Sequence, residues 1–234
     1  MHKHLNKILF TLLFISQIFS QGNVKNMELQ KLVSFPEHYE KDSKNKWPLI
    51  LFLHGIGERG KDINLIKLHG IPKVVESNKS FPFITLSPQC PLKFDWRDDT
   101  IQYEVISILE DFIKNNNVDK NRVYITGLSM GGYGTWGIIS KRPEIFAAAI
   151  PICGGGNPEK ALTIKDLPIW AFHGEDDSVI PVQETISMVE EINKINGNIK
   201  FTKYPNTNHN SWTKTYNNKD IYNWLLLQSR DPNK

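Results

Sequence analysis

The 234-residue chain is poor in the features that mark several large classes of protein. It has only two cysteines, Cys90 and Cys153, and it contains no long lysine or arginine run, internal repeat or low-complexity segment. These absences exclude a disulfide-rich scaffold and argue against a nucleic-acid partner. The CxxC, HExxH and EF-hand spacings of metal sites are also missing, so we expect no metal and no cofactor. The two cysteines could pair in an exported protein, but two free thiols are the simpler interpretation.

The composition is that of an ordinary globular protein. Hydrophobic residues make up 40% of the chain, aromatic residues 11% and charged residues 23%, with a formal net charge of +3. A chain of this length supports one domain with a sizeable core and is short for two.

The first twenty residues have the layout of a secretory signal peptide. Basic residues at positions 2–7 precede a twelve-residue apolar stretch at 8–19, and the small residue Ser20 follows. The stretch is short for a membrane-spanning helix, although an uncleaved anchor is the alternative. We therefore expect a signal peptide over 1–20, one catalytic domain over 21–234 and a secreted or periplasmic protein. After cleavage we expect no stable association with a membrane.

From residue 28 onward, strand-like and helix-like patterns alternate. Apolar runs predict strands, and apolar residues at helical spacing predict helices between them. The predicted strands cover 29–35, 48–53, 84–87, 122–126, 146–152, 169–173 and 199–204, and the predicted helices cover 99–114, 130–141, 183–195 and 219–228. This alternation predicts an α/β fold with a mostly parallel central sheet and helices on both sides. No insertion between these elements is long enough for a large lid.

Ser129 lies in the run GLSMG, which fits the G-x-S-x-G pattern of a nucleophilic serine. The run stands between a predicted strand and a predicted helix, which is the context that the pattern requires. Glycines at 127 and 131 permit the sharp turn that lifts the hydroxyl above the sheet edge. A serine without catalytic function in a tight turn could show the same five-residue pattern. The interpretation therefore depends on whether an acid and a histidine follow at suitable positions.

A serine hydroxyl needs a base, and in this arrangement an acid and then a histidine follow it along the chain. Asp177 comes four residues after the strand at 169–173, and Asp176 is the alternative within the same acidic loop. His209 follows the last strand and is the only histidine after Asp177. The order predicts Ser129 as nucleophile, His209 as general base and Asp177 as the residue that orients the histidine.

Two backbone N–H groups are expected to hold the oxyanion of the reaction. One is that of Met130, directly after the nucleophile, and the other comes from the HGIGERG loop at 54–60. Ile56 is the first choice in that loop, and Gly57 is the second. We interpret His54 and His173 as buried residues that end their strands, not as catalytic bases.

The chain resembles the α/β-hydrolase esterases of the phospholipase/carboxylesterase or "predicted peptidase" group, which are related to polyhydroxybutyrate depolymerase-like and feruloyl esterase-like enzymes. The resemblance is carried by LFLHGIGERG (51–60), LSPQCP (86–91), NRVYITGLSMGGYGTWGI (121–138), PEIFAAAIPICGGG (143–156), PIWAFHGEDDSVIP (168–181) and NHNSW (208–212). It implies an α/β-hydrolase fold, the same triad and the same oxyanion donors. It also implies that Gln89, Trp96 and Trp212 lie near the substrate.

The function that these observations predict is hydrolysis of short acyl or aromatic esters, including esters on carbohydrates, by a serine carboxylesterase. A serine peptidase on the same triad is the alternative within enzymes. A binding protein that kept the scaffold without activity is the alternative outside them.

Overall fold

The structure is a computed structural model that describes residues 28–41, 43–78 and 80–230. The predicted signal peptide lies outside the described residues. Among those that are described, no helix is long and apolar enough to cross a membrane. Cys90 and Cys153 are both buried and free, which confirms the simpler interpretation of the two cysteines.

A seven-stranded sheet forms the centre of the described chain. Its strands are β1 (Lys31–Ser34), β2 (Trp47–Leu53), β3 (Ile84–Pro88), β4 (Val118–Leu128), β5 (Ala148–Ile152), β6 (Ile169–Gly174) and β7 (Ile199–Tyr204). They lie in the order β1-β3-β2-β4-β5-β6-β7. All neighbours are parallel except β1, which runs antiparallel to β3 at one edge. The predicted α/β-hydrolase architecture is confirmed.

Six α-helices in the described part of the chain flank this sheet. They are α1 (Gly70–Ser77), α2 (Asp99–Asn115), α3 (Met130–Lys141), α4 (Gln183–Lys194), α5 (Trp212–Tyr216) and α6 (Lys219–Leu226). Helices α2, α3, α4 and α6 confirm the predicted ones to within two residues at each end. The sequence did not predict α1 and α5, because eight and five residues are too few to display a clear helical period.

The two faces of the sheet bury separate apolar clusters. Along β2, Leu49, Leu51 and Leu53 point to one face, and Ile50 and Phe52 point to the other. The first face packs against α2, α3 and α4, and the second packs against α1, α5 and α6. Burial on both faces explains why the run at 48–53 is continuously apolar instead of alternating.

The carboxyl ends of the parallel strands meet at one edge of the sheet, where ligands bind in folds of this kind. Leu53 at the end of β2 pairs with Gly127 of β4, and Leu128 pairs with Ile152 at the end of β5. Gly174 at the end of β6 pairs with Tyr204 at the end of β7. The loops that follow these strands therefore come together at a single place.

Candidate active site

Ser129 occupies a tight turn between β4 and α3. Its φ of 54° lies in the left-handed region, which is unfavourable for a residue with a side chain and is typical of strained functional sites. A Cβ on Gly127 would come within 2.2 Å of the Gly131 carbonyl oxygen, and a Cβ on Gly131 would come within 2.0 Å of that of Leu53. Both positions therefore require glycine. The Ser129 N–H donates to the Ile152 carbonyl at 3.0 Å, which ties the turn to the end of β5.

The structure brings the three predicted triad residues into one hydrogen-bonded chain. The Ser129 Oγ lies 3.0 Å from Nε2 of His209, and Nδ1 of His209 lies 2.7 Å from Oδ2 of Asp177. Ser129 and Asp177 are each only 8% exposed. These distances allow the serine hydroxyl to donate to the histidine while the other ring nitrogen donates to the carboxylate.

Asp177, and not the neighbouring Asp176, faces the histidine. Its Oδ1 accepts the N–H groups of Val179 and Ile180, each at 2.9 Å, whereas Asp176 is exposed. Burial alone would raise the pKa of Asp177, but the hydrogen bonds from His209 and the two backbone N–H groups outweigh it. The pKa of Asp177 therefore lies below its ordinary value, and the residue is a carboxylate at neutral pH.

A second histidine contacts the same carboxylate oxygen. Nε2 of His173 lies 3.1 Å from Oδ2 of Asp177 and 2.9 Å from the Ile180 carbonyl oxygen. Both partners are acceptors, so Nε2 carries the proton. Nδ1 faces the hydroxyl of Thr185 at 2.7 Å, and that hydroxyl also lies 2.7 Å from the Gly154 carbonyl oxygen. Burial lowers the pKa of His173, so the ring is neutral and acts as a fixed donor to Asp177.

His54 fixes the orientation of the peptide between Gly55 and Ile56, whose N–H group is the predicted oxyanion donor. Its Nδ1 donates to the Gly55 carbonyl oxygen at 2.6 Å, and its Nε2 accepts the Cys90 N–H at 3.0 Å. In a trans peptide the N–H points opposite to the carbonyl, so the Ile56 N–H points away from His54. A Cβ on Gly55 would meet the Leu128 side chain at 2.8 Å, which places this loop against the turn of Ser129. Burial lowers the pKa of His54 to about 4, so the ring stays neutral near pH 7.

The second predicted oxyanion donor is at the start of α3. Met130 is the first residue of this helix, so its N–H has no acceptor within the helix. The positive end of the helix dipole also lies there, which favours a developing negative charge. Neither donor position depends on side-chain chemistry, because both groups belong to the backbone.

Gln89 and Trp96, which we predict to lie near the substrate cleft, are both buried, and contact with a substrate stays a prediction for them. Gln89 is 1% exposed and its Nε2 donates to the carbonyl oxygens of Glu58 and Asp62 at 2.9 and 2.7 Å. Trp96 is fully buried, and its Nε1 donates to the His54 carbonyl oxygen at 2.9 Å. Both side chains point inward and brace the loop after β2. The short motifs that suggested them do not specify which way a side chain points.

Trp212 does lie beside the triad. Its ring makes an edge contact with His209 at 5.1 Å between centroids and a second one with His69 at 5.8 Å. It is half-buried at the start of α5. The position fits the predicted contact with substrate, which the structure itself does not test.

Cys153 completes a cluster of three groups that could in principle hold a metal ion. Its Sγ and ligand atoms of Asp177 and His209 lie within 4.8 Å of one another. Burial raises the pKa of the Cys153 thiol to about 12, so the sulfur is protonated at neutral pH and is a poor metal ligand. Because Asp177 and His209 already bond to each other, the geometry favours a triad over a metal centre.

Known proteins resemble this chain in both sequence and fold. A thermostable esterase of known structure is 39% identical with a TM-score of 0.76, over 86% of this chain and 59% of the esterase. A bifunctional acetylxylan esterase/xylanase from Neocallimastix patriciarum is 36% identical over 34% of this chain and 12% of its own length. Poly(3-hydroxyalkanoate) depolymerase C from Paucimonas lemoignei is 40% identical over 26% of this chain and 15% of its own length. The chain thus spans only a small part of these two enzymes.

A family model covers more of the chain than either enzyme does. The model of the dienelactone hydrolase family matches residues 94–223, a segment that contains Ser129, Asp177 and His209. Together with the esterase structure, this match confirms the resemblance to α/β-hydrolase esterases. The chain belongs to the dienelactone hydrolase family.

Proposed function

We propose that the protein is a serine carboxylesterase that hydrolyses short acyl or aromatic esters, including esters carried on carbohydrates. The observation that carries the proposal is the chain of hydrogen bonds from Ser129 through His209 to Asp177, at 3.0 and 2.7 Å. A histidine that bonds to a hydroxyl on one side and to a carboxylate on the other is the arrangement that activates a serine.

In the first half of the reaction, the Ser129 Oγ attacks the ester carbonyl carbon while His209 Nε2 takes the hydroxyl proton. The N–H groups of Ile56 and Met130 stabilise the negative charge on the carbonyl oxygen. The tetrahedral intermediate then collapses, the bond to the alcohol breaks, and His209 returns the proton to the departing alcohol oxygen. The acyl group is left esterified to Ser129.

In the second half, water replaces the alcohol. His209 takes a proton from the water as its oxygen attacks the acyl carbon, and the same two N–H groups again hold the oxyanion. Collapse of this intermediate breaks the bond to Ser129 Oγ, which recovers the proton from His209. The carboxylic acid leaves, and throughout the cycle Asp177 holds the ring in one tautomer and stabilises the imidazolium.

Apolar side chains beside the loop after β2 support short acyl or aromatic groups as substrates. Ile56 and Leu92 are 57% and 71% exposed, and the guanidinium of Arg59 bonds to the carbonyl oxygens of both. An apolar edge next to an oxyanion donor suits the acyl part of an ester. The names of the acetylxylan esterase and the depolymerase agree with ester chemistry on polymers.

The test is turnover of p-nitrophenyl acetate by the purified protein and by Ser129→Ala. We expect a loss of about 10⁴-fold or more in kcat for the variant. Equal rates for the two proteins would rule the proposal out. A parallel panel of aminoacyl and dipeptide p-nitroanilides tests the peptidase alternative, which gains support if these amides are cleaved faster than the esters.

We also propose that the protein is exported, on the strength of the basic and apolar segments at 2–7 and 8–19. N-terminal sequencing of protein recovered outside the cytoplasm should give a start near Gln21. Full-length chain found only in the cytoplasm or in the membrane fraction would contradict export and cleavage.

A further inference from the structure

A groove lies beside the triad, between α1 and the pair α5 and α6. It encloses a cavity of about 260 Å³. Trp212 lines it and at the same time contacts the ring of His209 at 5.1 Å between centroids. The reaction described above uses none of the residues that line this groove. A molecule whose ester carbonyl lies at Ser129 could therefore extend into it past His209.

The groove carries positive charge. Lys73 of α1 and Lys219 of α6 line it, together with His69, and none of the described aspartates and glutamates does. Within the described part of the chain, neither lysine forms an ion pair, whereas the nearby Glu76 pairs with Lys67 at 3.2 Å. His69 lies 3.7 Å from the buried Glu58, which offsets any charge that His69 carries. The two lysines therefore leave an uncompensated charge of about +2, which favours an anionic ligand.

The rest of the lining suits a sugar ring. Trp212 and Tyr222 are half-buried and supply aromatic surface, and the exposed side-chain amides of Asn78 and Asn217 supply donors and acceptors. A sugar has apolar C–H faces that pack on aromatic rings and hydroxyls that bond to amides. The cavity is smaller than the ~300 Å³ at which pockets for drug-sized ligands begin, so it fits a single ring.

We propose that this groove binds a sugar residue that carries a carboxylate, next to the esterified position of an acidic oligosaccharide. The inference rests on the proposed esterase function and names the substrate class of that site. The aromatic rings hold the sugar ring, and Lys73 and Lys219 hold its carboxylate through charge-assisted hydrogen bonds. The preferred substrates are then esters on uronate-bearing carbohydrates, and an anionic carbohydrate near the ester raises kcat/KM.

The test compares two acetylated xylo-oligosaccharides, one with a glucuronate branch and one without it. For the wild-type protein we expect kcat/KM to be about tenfold higher on the acidic substrate, a gain that shrinks as salt is added. In the double variant Lys73→Gln/Lys219→Gln the ratio between the two substrates should fall to about one. The matched control is Lys114→Gln/Lys160→Gln, which removes the same charge from exposed positions on the opposite face of the sheet and should keep the wild-type ratio.

A binding measurement separates failure of this inference from failure of the esterase proposal. Ser129→Ala is titrated by calorimetry with the deacetylated glucuronate-bearing oligosaccharide and with its neutral counterpart. The inference is supported if the acidic compound binds more tightly than the neutral one and if this difference disappears when both lysines are also replaced. This result does not depend on whether the protein is an active esterase. Equal binding of the two compounds, or equal substrate ratios in the groove and control variants, would overturn the inference. If p-nitrophenyl acetate is still hydrolysed in that case, the esterase proposal remains intact.

Discussion

His173 donates from Nε2 to Oδ2 of Asp177 at 3.1 Å, the same carboxylate oxygen that accepts Nδ1 of His209 at 2.7 Å. Two histidines thus share one oxygen, but they play different parts. His173 is fully buried and neutral, and the Ile180 carbonyl oxygen on the same nitrogen fixes its tautomer. We regard His173 as a positioning residue. It fixes the orientation of the Asp177 carboxylate and affects how strongly Oδ2 accepts the hydrogen bond from His209.

Removal of the His173 donor should therefore change the chemistry as well as the stability. In His173→Leu we expect kcat to fall about 10- to 100-fold with little change in KM, because Asp177 loses a partner that orients it. A carboxylate with one donor fewer also stabilises the imidazolium of His209 more strongly. The acid limb of the kcat/KM profile should then move to higher pH.

His173→Gln is the matched variant, because its amide can still donate to Asp177. We expect His173→Gln to regain part of the lost activity. Its acid limb should lie close to that of the wild-type protein, because the donor to Asp177 is restored. If both variants have the wild-type pH profile and differ only in thermal stability, His173 has a structural role alone.

Asp177→Asn tests which carboxylate orients the catalytic histidine. The amide can present an N–H to His209 and favour the wrong tautomer, so we expect kcat on p-nitrophenyl acetate to fall about 10⁴-fold. The control is Asp176→Asn, whose side chain is exposed and should tolerate the change. Similar losses in the two variants, or a larger loss in Asp176→Asn, would show that the acid has been assigned to the wrong residue.

The sequence predicted the triad because each member follows a strand and the chain order leaves one histidine after Asp177. It did not predict the contact between His173 and Asp177. That contact depends on the backbone conformation of the turn between the two residues, which the sequence pattern does not specify. The burial of Gln89 and Trp96 was not predicted for a related reason: a motif places these residues near the site, but packing decides that their side chains turn inward. Helix α1 was missed because its eight residues show no clear helical period, and the glycine and proline at 70 and 72 are unfavourable in helices.

The stability of the protein should depend on pH through His54. Its pKa is lowered from 6.5 to about 4 in the folded protein, chiefly by burial, so the unfolded chain takes up a proton first as the pH falls. This group contributes fully to stability above pH 6.5, and its contribution is lost between about pH 6.5 and 4. The drop from 6.5 to about 4 corresponds to roughly 3 kcal/mol of unfolding free energy.

Urea unfolding at pH 7.5, 6.0 and 5.0 measures this dependence in the wild-type protein and in His54→Gln. Burial of His173 acts in the same direction, and the raised pKa of Glu58 acts in the opposite one. His173 is present in both proteins, and its contribution cancels in the difference between the two curves. Glu58 lies 3.8 Å from Nδ1 of His54, so the comparison is made with Glu58→Gln in both proteins, and the remaining difference reports His54. The wild-type curve should fall more steeply with acid, and parallel curves would mean that His54 is already protonated or exposed in the folded state.

The most direct test of a nucleophilic Ser129 is labelling with a fluorophosphonate, followed by peptide mass spectrometry. The probe reacts with a serine only when a base and an oxyanion site activate its hydroxyl. We expect a single adduct on the peptide that contains Ser129, formed in wild-type protein and absent from His209→Ala. Folded wild-type protein that takes up no probe, or that carries the adduct on another residue, would contradict the triad of Ser129, His209 and Asp177.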